Sequence, residues 1–105
     1  MELKDKYEIV FSLNAEDELS HILNMLDILY DKEVSTRLYN EINRYLEYLN
    51  FFPEMFGWSK YTFHGKSLRK IPVKGYVILY LVDHQNKIVN IIGVFSELED
   101  IDSKF

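Results

Sequence analysis

Two consecutive stretches near the end of the chain, residues 75–82 and 87–95, are almost wholly apolar. Each has the length of a strand, and the polar residues 83–86 separate them as a hairpin loop would. A strand whose two alternating sets of side chains are both apolar is buried on both faces of its sheet. The pattern therefore predicts a sheet whose central strands are covered on both sides.

Residues 14–52 contain no glycine or proline, and apolar residues recur there every three or four positions. This spacing predicts amphipathic helix in two series, at residues 19–29 and 34–49, with a slip in the period between them. Asn14 is expected to cap the first helix, and Pro53 to end the second. Two antiparallel helices fit best, and one long helix is the alternative.

Three further stretches alternate in polarity as strands do, namely residues 7–12, 58–63 and 67–73, with Gly65 as a break between the last two. In the first of them, Tyr7, Ile9 and Phe11 share one face. The order is therefore a strand, a helical hairpin and then a run of strands. It predicts an α+β fold in which a twisted antiparallel sheet packs on the helices, and 105 residues suffice for a single domain over residues 1–105.

Charge is distributed unevenly along the chain. Residues 55–82 hold five cations and no acid, whereas the other residues hold all 17 acids and only seven of the 12 cations. This basic stretch either forms a face that meets phosphates or an acidic partner, or is the solvated face of an antiparallel sheet. Aromatic residues within it offer base-stacking surfaces or belong to the core: Tyr61, Phe63, Tyr76 and Tyr80.

Most conventional catalytic and cofactor sites are excluded by residue type or spacing. There is no cysteine, and the three histidines lack the spacing of metal ligands, so neither a metal nor a cofactor is predicted. His21 and His84 are expected at the surface. His64 precedes a glycine in the basic stretch, where it is either a general acid or base or a turn residue. Trp58 is expected to be a packing anchor beside Phe56.

The first six residues are mostly charged and lack the apolar core of a signal peptide. No apolar run approaches the ~20 residues of a membrane span. We therefore expect a cytoplasmic protein that does not enter the membrane.

One run carries a family resemblance, from Arg69 to Asp83, with the spacing Arg-x-x-x-Val-x-x-Tyr-x-Ile-x-Tyr-x-Val-Asp. Together with the first strand, Ala15 and the helical hairpin that ends in Phe52 and Pro53, it resembles the RelE/ParE superfamily of bacterial toxins. The resemblance extends from residue 7 to about residue 100.

The resemblance implies a function as well as the α+β fold. Such proteins are the toxins of type II toxin–antitoxin modules. A cognate antitoxin neutralises each toxin, and its segment is expected in the groove between sheet and helices or at a sheet edge, with a heterotetramer as the expected complex. RelE-like members cut mRNA on the ribosome, and ParE-like members inhibit DNA gyrase.

RelE-like chemistry needs a base, an acid and cations around the scissile phosphate. On this resemblance we expect His64 and Arg69 to be catalytic, and five residues to bind RNA or another target: Lys66, Lys70, Lys74, Tyr76 and Tyr80. Strict alternation would place the three lysines on one side of the sheet, unless a bulge near Pro72 intervenes.

The sequence departs from the RelE-like pattern at two places. Val77 stands where many RelE-like members carry arginine, and the segment after the last strand, residues 95–100, carries acids where they carry cations. A carboxylate near the phosphate would oppose its binding. Three hypotheses remain: a ribosome-dependent mRNA endonuclease, a toxin that acts by protein contact, and an attenuated domain that binds an antitoxin without nuclease activity.

Overall fold

The computed structural model describes residues 6–98, so the first five residues and the tail from residue 99 lie outside the described residues. The predicted α+β fold and helical hairpin are confirmed, and the alternative of one long helix is wrong. The elements follow in this order: β1 (Glu8–Phe11), α1 (Leu13–Leu29), α2 (Lys32–Leu49), β2 (Trp58–Phe63), β3 (Lys66–Val73), β4 (Tyr76–Asp83) and β5 (Ile88–Ser96).

The five strands form one sheet in the order β1-β5-β4-β3-β2. Strands β2 to β5 are antiparallel to their neighbours, as predicted. Strand β1 instead runs parallel to β5, with Ile9 opposite Val89, so the prediction of an antiparallel sheet is wrong at this edge. A parallel neighbour requires a long connection, which here includes both helices and three strands.

Each helix begins at a side-chain cap. Ser12 accepts a hydrogen bond from the Ala15 N–H (3.0 Å) and caps α1, so the prediction of Asn14 as the cap is wrong by two residues. Asp31 accepts from the Glu33 N–H (3.1 Å) and caps α2. The extended backbone at Asp31 is what divides the two helices. Within residues 6–98, neither helix is long and apolar enough to cross a membrane.

The main core lies between the helices and one face of the sheet. Tyr7, Ile9 and Phe11 all pack into it, which confirms the prediction that these three side chains share one face. Ile42 and Leu49 are the most deeply buried side chains of α2. Full burial of such a side chain contributes about 1.5–3 kcal/mol to the free energy of unfolding. The helices are therefore held to the sheet mainly by apolar burial.

Two tight turns shape the antiparallel strands. His64 and Gly65 join β2 to β3, and Lys74 and Gly75 join β3 to β4. All four residues have positive φ angles, between 48° and 83°. Two-residue turns of this kind match the twist of a β-hairpin.

We predict that Gly93→Ala destabilises the fold by about 1–3 kcal/mol, because overpacking a filled core costs that much. A methyl group at Gly93 would lie 2.7 Å from Phe95 Cζ, and Phe95 is 2% exposed, so its ring cannot move aside easily. Gly57→Ala is the matched control, since nothing lies within 4 Å of a methyl group there. Urea unfolding of both variants tests the prediction, and equal midpoints for the two would contradict it.

Candidate functional site

The face of the sheet that the helices leave uncovered, here called the outer face, carries a second apolar cluster. Its buried members are Leu68, Leu79 and Phe95. Around them pack partly buried side chains: Tyr61, Phe63, Val77, Leu81 and Ile92. The outer face therefore presents apolar surface to solvent without a covering layer from the described residues.

A bulge in β5 helps to assemble this cluster. Leu79 and Tyr80 are consecutive on β4, but their partners on β5 are separated by one extra residue, Ile92. Such a bulge shifts the alternation of side chains by one position. As a result Ile92 and Phe95 both join the outer cluster, although strict alternation would place them on opposite faces.

Two of the predicted cations lie on the outer face. Lys66 and Lys70 flank Leu68 on β3, and all three share a face by alternation. The pKa of the nearby Asp83 carboxyl is lowered, chiefly by hydrogen bonds from Asn86 and in smaller part by the charge of Lys66. The outer face thus combines apolar surface with exposed ammonium groups.

Lys74 does not belong to this row. It occupies the β3–β4 turn with a φ of 48°, so it is not a strand residue. It lines a pocket of about 240 Å³ with Tyr76 and the helix residues Leu26 and Val34. The predicted sharing of one side by the three lysines is therefore wrong for Lys74, because the turn carries it to the helix side.

Arg69 has a local structural role. Its guanidinium donates to the Phe56 carbonyl (2.8 Å) and to the Glu54 carboxylate (3.4 Å), and both acceptors lie in the loop between α2 and β2. The same guanidinium lies 3.8 Å from the centroid of the Trp58 ring. Because its guanidinium donates hydrogen bonds to two residues of the loop, Arg69 holds this loop in position.

Trp58 and Phe56 do not pack together as predicted. Trp58 is 60% exposed, so the prediction that it is a packing anchor is wrong. Phe56 instead packs edge-on against Tyr45 of α2, with ring centroids 5.6 Å apart. Trp58 is paired with Arg69 across β2 and β3, so both side chains lie on the same side of the sheet, and the Arg69 guanidinium covers the ring from one side.

Tyr80 is fully buried on the helix side of the sheet. Its hydroxyl donates to the Pro53 carbonyl (2.9 Å), and burial raises the pKa of Tyr80 to about 12. The prediction that Tyr80 binds RNA or another target is therefore wrong, because the side chain has no exposed surface. Its hydroxyl anchors the same loop that Arg69 holds.

The two predicted catalytic residues lie on different parts of the β2–β3 hairpin. His64 is an exposed turn residue that packs edge-on against Phe63, with ring centroids 4.2 Å apart. Arg69 lies further along β3, and the strand rise alone separates it from Lys66 by roughly 10 Å. His64 thus stands in the β2–β3 turn and Arg69 within β3, and their catalytic roles stay a prediction.

A polar network that the sequence analysis missed lies at the end of the sheet where β4 stops. His84 Nε2 lies 2.6 Å from Glu54 Oε1, and His84 Nδ1 lies 2.7 Å from the Tyr7 hydroxyl. A carboxylate only accepts, so Nε2 donates to it; in the neutral ring Nδ1 then accepts from the Tyr7 hydroxyl. Residues so far apart in the sequence give no local signal of this contact. Within residues 6–98, no group of three metal-ligating acids or histidines occurs.

The opposite end of the sheet is where RelE-like members are expected to hold cations. There Val77 belongs to the apolar outer cluster and Phe95 is buried. Glu97 follows, and its backbone N–H donates to the Gly75 carbonyl (2.9 Å). This strand end therefore carries apolar and acidic groups at the positions where the sequence departs from the RelE-like pattern.

Comparison with known families identifies one match. The profile described as "ParE toxin of type II toxin-antitoxin system, parDE" matches residues 9–101. A sequence search of curated proteins finds no match.

Solved structures with a similar fold come from toxin–antitoxin complexes. A chain from the chromosomal ParDE system of P. aeruginosa has a TM-score of 0.69 and 13% identity, over 89% of this chain and 98% of that one. A chain from the archaeal RelE–RelB complex of Pyrococcus horikoshii OT3 has a TM-score of 0.61 and 16% identity, over 90% of this chain and 98% of that one. A chain from the RelBE2 complex of Mycobacterium tuberculosis has a TM-score of 0.58 and 14% identity, over 87% of this chain and 98% of that one.

We predict that Tyr80→Phe makes the stability of the protein less sensitive to alkaline pH. The pKa of Tyr80 is raised from 10.0 to about 12 in the fold, so this group favours the folded state fully below pH 10, and that contribution is lost as the pH rises from 10 to 12. Urea unfolding at several pH values should show a shallower decline for the variant. Tyr48→Phe, at a half-exposed position, should decline as the wild type does. Parallel curves for wild type and Tyr80→Phe would contradict the prediction.

Proposed function

The chain belongs to the ParE toxin family of type II toxin–antitoxin systems. On this basis we propose that an antitoxin silences it by covering the outer face. We also propose that it arrests growth by binding a protein target.

The apolar cluster of the outer face supports the antitoxin surface. Leu68, Leu79 and Phe95 are buried by neighbours that are themselves only partly buried, so a covering segment would remove their remaining apolar area from water. Each Å² of such area contributes about 25 cal/mol. The similar solved chains come from ParDE and RelBE complexes, which supports an antitoxin as the covering partner.

Charge and strand order define the expected antitoxin segment. Lys66 and Lys70 flank the apolar cluster, so an acidic amphipathic segment fits this face. Strand β2 is an edge of the sheet, and its outward backbone groups can pair with an added strand. A segment that pairs with β2 and then crosses the outer face would use both features.

The strand end at Val77 and Glu97 supports a protein target over mRNA cleavage. Cutting RNA there requires donors that stabilise the charge developing on the phosphate, and loss of one such donor costs about 100-fold or more in rate. Val77 supplies no donor and Glu97 supplies a negative charge. We therefore take DNA gyrase, the target that the family resemblance implies, as the first candidate. The toxin would then act in the cytoplasm.

We predict that reversing both outer-face cations, Lys66→Glu with Lys70→Glu, weakens antitoxin binding about tenfold or more at low salt, because like charges would then face each other. Lys74→Glu is the matched control, since Lys74 lies in the turn on the helix side. The measurement is the Kd for the product of the adjacent small gene at two salt concentrations. Equal weakening by the control would show that net charge, rather than the outer face, governs binding.

We predict that the purified protein inhibits supercoiling by DNA gyrase and leaves mRNA intact in a reconstituted translation reaction. The supercoiling assay and the mapping of mRNA ends, with and without ribosomes, are run on the same preparation. Ribosome-dependent cuts would overturn the protein-target proposal. If expression arrests no growth and neither assay responds, the attenuated antitoxin-binding domain is the correct alternative.

A further inference from the structure

The bulge of β5 lies at the point where that strand loses its neighbour β1. The last pair between β1 and β5 joins Phe11 to Ile91, so β1 offers no backbone partner to the later residues of β5. Ile92, the extra residue of the bulge, follows at once, and on the other side the ladder with β4 resumes at Gly93, opposite Leu79. Backbone groups of β5 that point to the side of β1 beyond this position therefore need other partners.

The start of α1 supplies those partners. The Ser12 N–H donates to the Ile91 carbonyl (3.0 Å), and the Ser12 hydroxyl donates to the Ile92 carbonyl (3.3 Å). Further along α1, Glu18 Oε1 accepts from the Val94 N–H (3.1 Å). These three hydrogen bonds hold the backbone on both sides of the bulge to the helix that covers the other face of the sheet.

The hydrogen bond from Val94 to Glu18 fixes the strand after the bulge. Val94 is 1% exposed, so water has little access to its N–H in place of the carboxylate. A buried N–H without a partner is costly, and a carboxylate is a stronger acceptor than a neutral group. Consecutive N–H groups of a strand point to opposite edges, so a slip of one residue would turn the Val94 N–H away from α1. The carboxylate therefore favours the bulged register over the regular one.

The register after the bulge decides which side chains β5 presents on the outer face. With the bulge, Val94 belongs to the main core, and Phe95 joins Ile92 in the outer cluster. In a regular strand, displaced by one position after Ile92, Val94 and Phe95 would exchange faces. The outer face would then lose the ring that clusters with Leu68 and Leu79.

We infer that Glu18 is a positioning residue for the antitoxin surface, although it lies on α1 and on the opposite side of the sheet. Its carboxylate holds β5 in the bulged register, and this register sets which side chains the antitoxin meets. That an antitoxin meets them rests on the proposed function. Selectivity among antitoxins is then determined in part by a residue that no antitoxin on the outer face touches.

Hydrogen exchange tests the role of Glu18 without any antitoxin. Glu18→Leu has similar bulk but no acceptor, so the Val94 amide should exchange at least about tenfold faster than in the wild type. Glu18→Gln keeps an acceptor oxygen and should retain most of the protection. Glu16→Leu is the matched control, since it removes an exposed acid from the first turn of the same helix.

The amides of residues 88–90, which lie between β1 and β4, report on global unfolding in the same experiment. Their exchange should change much less than that of Val94. Equal exchange at Val94 in the wild type and Glu18→Leu overturns the inference, and so does an equal increase at residues 88–90. If Glu18→Leu does not fold, Glu18→Ala carries the same test.

Antitoxin binding tests the consequence for the outer face. The Kd for the product of the adjacent small gene should rise at least about tenfold in Glu18→Leu and stay within about threefold in Glu18→Gln. Ile42→Val, which weakens the core from α2, should bind as the wild type does. An affinity that simply follows the urea midpoint across these variants overturns the inference. A wild type that binds no antitoxin overturns the proposed function instead, and exchange at Val94 still decides whether Glu18 holds the bulge.

Discussion

The two central strands are apolar on both faces, and the rest of the molecule is arranged around that constraint. The helices cover one face of β4 and β5 and bury Ile78 and Tyr80 there. The other face buries Leu79 and Phe95 with partly buried neighbours alone. A stable layer architecture covers each apolar face with another element. On the proposed function, the antitoxin supplies this missing layer.

The basic stretch of the sequence does not form one basic surface in the fold. Arg69 turns toward the helix side and holds the loop after α2, whereas Lys66 and Lys70 lie on the outer face and Lys74 occupies a turn. Consecutive cations on a strand are divided between its faces, and a turn then redirects the next one. A binding site predicted from the number of cations along the sequence would therefore combine groups that lie on different faces of the sheet.

The sequence predicted what depends on local pattern and missed what depends on distant contact. Alternation and helical spacing were sufficient for the elements, since the inward face of β1 follows from Tyr7, Ile9 and Phe11 alone. The cap of α1 was misplaced because Asn14 and Ser12 are both good caps, and the end of β1 decides between them. The contact of Tyr7 with His84 joins residues 77 positions apart, so no window of the sequence contains it. The exposure of Trp58 likewise depends on the loop that Arg69 and Tyr80 hold.

The hydrogen bonds that hold the loop between α2 and β2 bear on how neutralisation can work on the proposed function. If the antitoxin and the target bind overlapping surfaces, the antitoxin lowers the apparent affinity for the target by a factor of about 1 + [antitoxin]/Kd. Such competition needs no conformational change, and the hydrogen bonds that fix the loop argue against one. Silencing then depends only on the free concentration of antitoxin, and loss of antitoxin exposes a surface that is already ordered. On the proposed function, a loop that is already ordered would be ready to contact the target as soon as the antitoxin leaves.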